Sequence, residues 1–88
     1  MTFPDIFVIA TARTAIGSFG GALKDVPNTQ LATTAVKAAI ERSGLAPDAI
    51  GHVVMGNVIP TDTKDAYLAR VAAIDAGCPI ETPAFNVN

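Results

Sequence analysis

The chain has 88 residues, of which 50% are hydrophobic and only 16% charged, with a net charge of −2. A domain of that length buries only about 60% of its unfolded surface, so this much apolar content exceeds what its own core can use and implies surface meant for a partner. Six Lys and Arg spread thinly form no basic stripe for nucleic acid, and the single cysteine excludes a disulfide framework and a cysteine-rich metal site.

Met1-Thr2-Phe3-Pro4-Asp5 lacks the positive start of a signal peptide, and the apolar run Ile6 to Ala10 is too short to span a bilayer. The expected setting is reducing and cytoplasmic, with no membrane contact. Ile6-Phe7-Val8-Ile9-Ala10 is a continuous apolar run with β-branched and aromatic residues, as in a strand buried on both faces of a parallel sheet. Glycines 17, 20 and 21 and Pro27 then make an irregular connection. Asn28 or Thr29 is the expected N-cap of a helix whose inward stripe is Leu31, Ala35, Val36, Ala39 and Ile40. It should stop at Gly44, with Pro47 beyond it as a breaker. His52 to Ile59 reads as the second strand, closed by Pro60. Thr61, Asp62 and Thr63 offer caps for a second helix, in which Tyr67, Val71 and Ile74 recur at helical spacing while Ala66, Ala69, Ala72, Ala73 and Ala76 permit close packing. Gly77 ends it, and Ala84 to Asn88 reads as a brief third strand. The order β-α-β-α-β predicts an α/β fold with a mostly parallel sheet and helices packed on it. Functional residues of such sheets gather beyond the carboxyl ends of the strands, here near Arg13, Asn57 and Asn88.

Gly17-Ser18-Phe19-Gly20-Gly21 fits neither the dinucleotide fingerprint nor the P-loop, so a turn needing positive φ is the preferred reading over a phosphate cradle. Arg13 follows an apolar run, where a guanidinium needs partners for its donors; it is expected to clamp a neighbouring loop. Cys78 lies between Gly77 and Pro79 at the end of a helix, where the macrodipole disfavours a thiolate, and is expected to fill space in a loop. His52 stands at the end of its strand opposite to where sites gather and is expected to be surface or structural. Asn57 and Asn88, at the favourable ends, are the candidates for holding a neighbouring site in place without doing chemistry.

Ala12-Arg13-Thr14-Ala15-Ile16-Gly17-Ser18-Phe19-Gly20-Gly21, with Gly56-Asn57-Val58, Leu68-Ala69-Arg70 and Pro83-Ala84, resembles the N-terminal signature of the thiolases, the acyl-coenzyme A acetyltransferases. Phe85-Asn86-Val87-Asn88 resembles the strand that leads to their nucleophilic cysteine. The resemblance implies that residues 1–88 are an incomplete, N-terminal part of the family's N-terminal domain, with the nucleophile a few residues after Asn88 at the start of the next helix. It further implies ping-pong acyl transfer through a cysteine acyl-enzyme, either thiolytic cleavage of 3-ketoacyl-CoA or condensation of acyl-CoA with acetyl-CoA. A second cysteine and a histidine would move protons and an oxyanion hole would stabilise the intermediates. Coenzyme A thioesters would be substrates, with no permanently bound cofactor, no metal and no catalytic residue within residues 1–88, so the isolated chain is expected to be inactive. The implied partners are the remainder of the polypeptide and a second copy, in a homodimer or tetramer of sheet order 3-2-1-4-5. The third strand would then pair with its twin. The alternatives are a condensing ketoacyl synthase, against which the Arg13 to Gly17 turn argues, and a small non-enzymatic α/β interaction module.

Overall fold

Pro27 sets the entry to the longest element. Its extended backbone (φ −62°, ψ 148°) ends the preceding turns, and its carbonyl accepts the N–H groups of Gln30 at 3.0 Å and Leu31 at 3.2 Å. Helix α1 follows over Asn28–Ser43 in the computed structural model, which describes residues 4–88. Met1, Thr2 and Phe3, part of the leader argument, lie outside the described residues. The N-cap expected at Asn28 or Thr29 is therefore Pro27, which gives no side-chain cap. As the first helical residue, Asn28 instead sends its carboxamide sideways to Thr61 and Asp65. α1 ends as expected at Gly44, whose φ of 76° is the left-handed conformation that an L side chain resists. Pro47 does more than break the helix, since it opens a single 3₁₀ turn, Pro47–Ala49.

Strand β1 (Val53–Gly56) and strand β2 (Ala84–Val87) form a two-stranded parallel sheet in the register Val53↔Ala84 to Gly56↔Val87. Main-chain bonds prolong the ladder at both ends, from Val53 N–H to the Pro83 carbonyl at 3.0 Å and from Asn57 N–H to the Val87 carbonyl at 2.9 Å. Between the strands runs a 3₁₀ turn, Thr63–Tyr67, and then helix α2, Leu68–Asp75. Asp62 caps the turn: its carboxylate accepts from Lys64 N–H, while Asp65 reaches back to Asp62 N–H, a reciprocal capping box.

The stripe of α2 that packs is the alanine one. Ala69, Ala72 and Ala73 are completely buried and Ala76 nearly so, whereas Tyr67 is 71% and Ile74 40% exposed. The close packing expected of the alanines is found at Ala69, Ala72, Ala73 and Ala76 though not at exposed Ala66, while of the Tyr67, Val71 and Ile74 repeat only Val71 is half-buried: α2 meets α1 and the sheet mainly through small side chains, with Leu68 its one bulky buried residue. Ile40, Val53, Ala69, Ala73, Ala76 and Cys78 make one core cluster and Ala32, Leu68 and Ala72 a second, bridged by Val36 and Met55. This core is thin. Among the described residues the only large side chain buried outright is a carboxylate, Asp65.

Ile6 to Ala10 forms no strand. Ile6, Phe7, Val8 and Ile9 are 91%, 75%, 84% and 63% exposed and join no ladder. An ordered strand needs hydrogen-bond partners and apolar cover to offset its lost entropy, and this run has neither. The radius of gyration, 14.1 Å, exceeds the value of about 12 Å for a compact chain of this length, as an extended arm requires. The observed order is therefore βαβ preceded by α1, with the helices and parallel pairing expected of the α/β class.

Candidate functional site at the carboxyl ends of the strands

Beyond the carboxyl ends of β1 and β2 lies a cavity of about 250 Å³, lined by Asn57, Val58, Pro60, Asp65, Ala66, Asn86 and Asn88. Two of its side chains are hydrogen-bonding hubs, and the first is Asn86. In β2, Ala84 and Asn86 turn inward while Phe85 and Val87 turn out, as the period of two dictates. The Asn86 carboxamide oxygen accepts the Ala69 N–H at 2.7 Å, and its nitrogen donates to the carbonyls of Ala66 at 3.0 Å and Asp65 at 3.2 Å. α2 has no side-chain cap of its own, because Tyr67 at the N-cap position provides none. Asn86 therefore caps α2 from the neighbouring strand, satisfying one of the free N–H groups of a first turn.

Asp65 is the second hub. Its carboxylate accepts from the Thr61 hydroxyl at 2.6 Å, Thr61 N–H at 2.7 Å, Asn28 Nδ2 at 3.1 Å and Asp62 N–H at 3.2 Å. The Thr61 hydroxyl and then the Thr61 N–H hold its carboxyl below the usual range, and burial opposes them without prevailing. An ionised Asp65 thus ties α1, the Thr61 loop and the start of the 3₁₀ turn together, while its main-chain carbonyl receives Asn86.

The residues expected from the sequence scatter. Asn57 and Asn88 both reach the cavity, Asn57 half-buried and Asn88 exposed. Arg13 does not line it: the side chain is exposed and, among the described residues, donates to the carbonyl of its neighbour Thr14 at 3.2 Å. The clamping expected of Arg13 is done by other arginines: Arg42 holds the Thr11 carbonyl at 2.8 Å, and Arg70 holds the loop before β2 through the carbonyls of Ile80 at 2.7 Å and Thr82 at 3.0 Å. Arg13 follows a run that is not buried, so nothing forces its guanidinium to find a partner.

Cys78 is buried in the core and its main-chain N–H donates to Ala73, and burial pushes its thiol pKa up, the reverse of what a nucleophile needs. His52 is exposed and packs edge-on against Phe85, with ring centroids 5.4 Å apart. The Gly17 to Gly21 segment turns, with Gly20 at φ 69°. A wider cleft of about 740 Å³ lies between residues 19–31 and Thr61-Asp62, and none of its lining residues lines the strand-end cavity. Among the described residues no cluster of His, Cys, Asp and Glu could hold a metal ion, and no helix is long and apolar enough to cross a membrane. Asn86 and Asp65 were not singled out in the sequence. The signal for Asn86 was the alternation itself, which places a polar residue on the inner face of a strand whose outer face carries Phe and Val.

Fold and site define an α/β chain whose parallel strands deliver asparagines to one cavity rimmed by a helix start. The family model for the thiolase N-terminal domain matches residues 6–88. The chain therefore belongs to the thiolase family. Beta-ketothiolase BktB of Cupriavidus necator is 48% identical over 84 residues, covering 96% of this chain and 21% of that protein. The mitochondrial 3-ketoacyl-CoA thiolase of Homo sapiens is 41% identical over 83 residues, covering 94% of this chain and 21% of that protein. The crystal structure of the human mitochondrial enzyme in complex with CoA superposes with a TM-score of 0.85 at 40% identity, over 91% of this chain and 21% of that one. The chain thus spans about a fifth of the length of these relatives.

Proposed function

We propose that this chain is the N-terminal part of an acetyl-CoA C-acyltransferase that cleaves 3-ketoacyl-CoA thiolytically or runs the reverse Claisen condensation. The observation that carries the reading is the family match over residues 6–88, which spans every element of the fold. In the cleavage direction a cysteine thiolate adds to the 3-keto carbonyl. The C2–C3 bond then breaks, its electron pair leaves as the enolate of acetyl-CoA, and that enolate takes a proton. The acyl-enzyme thioester is resolved by the thiol of free CoA, whose proton passes to a base, and acyl-CoA leaves as the thiolate is restored.

Within residues 1–88 Cys78 is the only thiol, and a buried thiol at the end of a helix cannot fill that role. The nucleophile is assigned to the segment following Asn88, at the N-terminus of the next helix, where the dipole favours the thiolate. Asn57 and Asn88, lining the cavity, are assigned to steadying that helix. The protein works in the cytoplasm, as a homodimer or tetramer on acetyl-CoA and longer acyl-CoA thioesters in fatty acid metabolism, without a permanently bound cofactor.

The experiment is thiolysis of acetoacetyl-CoA by the full-length protein and by residues 1–88 alone. Formation of acetyl-CoA by the first and none by the second is expected. Turnover by residues 1–88 that vanishes in Cys78→Ala would overturn the assignment of the nucleophile.

A further inference from the structure

The way the end of β2 is fastened does not follow from the sheet alone. A parallel ladder already holds β2 through its main chain, and Val87 is fixed by the Asn57 N–H at 2.9 Å. Yet Asn86 adds three side-chain bonds of its own, all to the other side, where the 3₁₀ turn becomes α2. The groups it bonds lie where the 3₁₀ turn becomes α2: an N–H in the first turn of α2 and two carbonyls of the tighter turn before it, of which that of Asp65 also accepts the Leu68 N–H. Through the Asp65 main chain the contact continues to the Asp65 carboxylate and on to Asn28 at the start of α1. The last inward side chain of β2 before Asn88 is thereby tied to both helices.

We propose that Asn86 is a positioning residue: its carboxamide, bonded to Ala69, Ala66 and Asp65, fixes the direction in which the chain leaves β2 and so sets where the nucleophilic thiolate meets the acyl carbonyl. This rests on the thiolase reading given above. A strand end held only by one edge can pivot about its ladder; a second fastening, to the 3₁₀ turn and α2, restrains that freedom. Displacement of a nucleophile by about 1 Å costs up to about 100-fold in rate, so the consequence is kinetic rather than a matter of folding alone.

The test uses the full-length protein with Asn86→Ala and Asn86→Thr, the latter keeping a hydroxyl that can accept from Ala69 and donate to one carbonyl. Asn86→Ala should lower kcat for acetoacetyl-CoA thiolysis by about 10- to 100-fold with KM within about twofold. It should also shift upward the pH midpoint for inactivation by iodoacetamide, and Asn86→Thr should recover part of both losses. A lowered melting temperature with wild-type kcat and an unmoved iodoacetamide profile would overturn the proposal. So would a kcat loss that Asn86→Thr leaves untouched while its melting temperature recovers. If Asn86→Ala does not fold, Asn86→Asp, which keeps the acceptor for Ala69 and loses both donors, is judged by the same criteria. Absence of thiolysis by the wild-type protein strikes the functional reading and this inference with it; an active wild type with an unaffected variant strikes this inference alone.

Discussion

Asp65 shows how a single side chain can hold a junction that apolar packing leaves weak. Its folded-state pKa lies below the unfolded one, mainly through the Thr61 hydroxyl and N–H, so its contribution is fully present above the unfolded carboxylate range and is lost as pH falls through the folded value. In the full-length protein the melting temperature should therefore fall on acidification from neutral, and Asp65→Asn should flatten that acid limb while lowering the neutral value; parallel limbs in the two proteins would contradict it. Cys78 is the opposite case, a buried thiol with its ionisation suppressed. Cys78→Ala should leave thiolysis within a few-fold of wild type and cost about 1 kcal/mol by urea melts. The sequence made the character of Cys78 legible, because the helix end and the flanking Gly77 and Pro79 are local facts. Asn86 and Asp65 were hidden, since their partners lie on other elements and nothing in an Asn-Val-Asn run shows which neighbour its amide meets. Arg13 was misjudged for a related reason: its expected partners depended on a burial that does not occur.

At the level of elements, what was readable came from local chemistry. Gly44 closes α1 in the left-handed conformation, Asp62 caps the turn before α2, and β1 and β2 fall inside their expected runs. Gly44→Ala should cost about 1–2 kcal/mol, measured as a lower urea midpoint, because φ stays positive there. The face of α2 was less readable, because periodicity alone fits either the Tyr67-Val71-Ile74 stripe or the alanine stripe, and the choice belongs to the distance between α1 and α2. Leucine at a fully buried alanine would force them apart. Ala73→Leu should destabilise the full-length protein by about 1–3 kcal/mol, and a variant as stable as wild type would mean that the alanine packing is loose. Ile6 to Ala10 has the composition of a strand, but strands are made by neighbours, and the two-stranded sheet does not extend to it.

Across the described residues many large apolar side chains stay exposed. Ile6, Phe7, Val8, Val58 and Ile59 are each 74% exposed or more, and Val54, Phe85 and Val87 about half-exposed on the outer face of the sheet. Large exposed apolar patches are in general a mark of interaction sites. Residues 1–88 alone should melt without cooperativity and give poorly dispersed NMR spectra, and a sharp two-state transition would contradict this. Phe85→Lys in the full-length protein should weaken dimerisation and activity together, if β2 is the edge that meets its twin; a variant that stays dimeric by sedimentation and fully active would exclude that edge. The central claim is that the chemistry is acyl transfer through a cysteine that follows β2. Its most direct test is to incubate the full-length protein with acetyl-CoA in the absence of a second substrate, digest it and locate the acetyl group by mass spectrometry. An acetyl thioester on a cysteine a few residues after Asn88, with Cys78 unmodified, is the expected result. Acetylation of Cys78, or of no cysteine at all in a protein that still cleaves acetoacetyl-CoA, would contradict it.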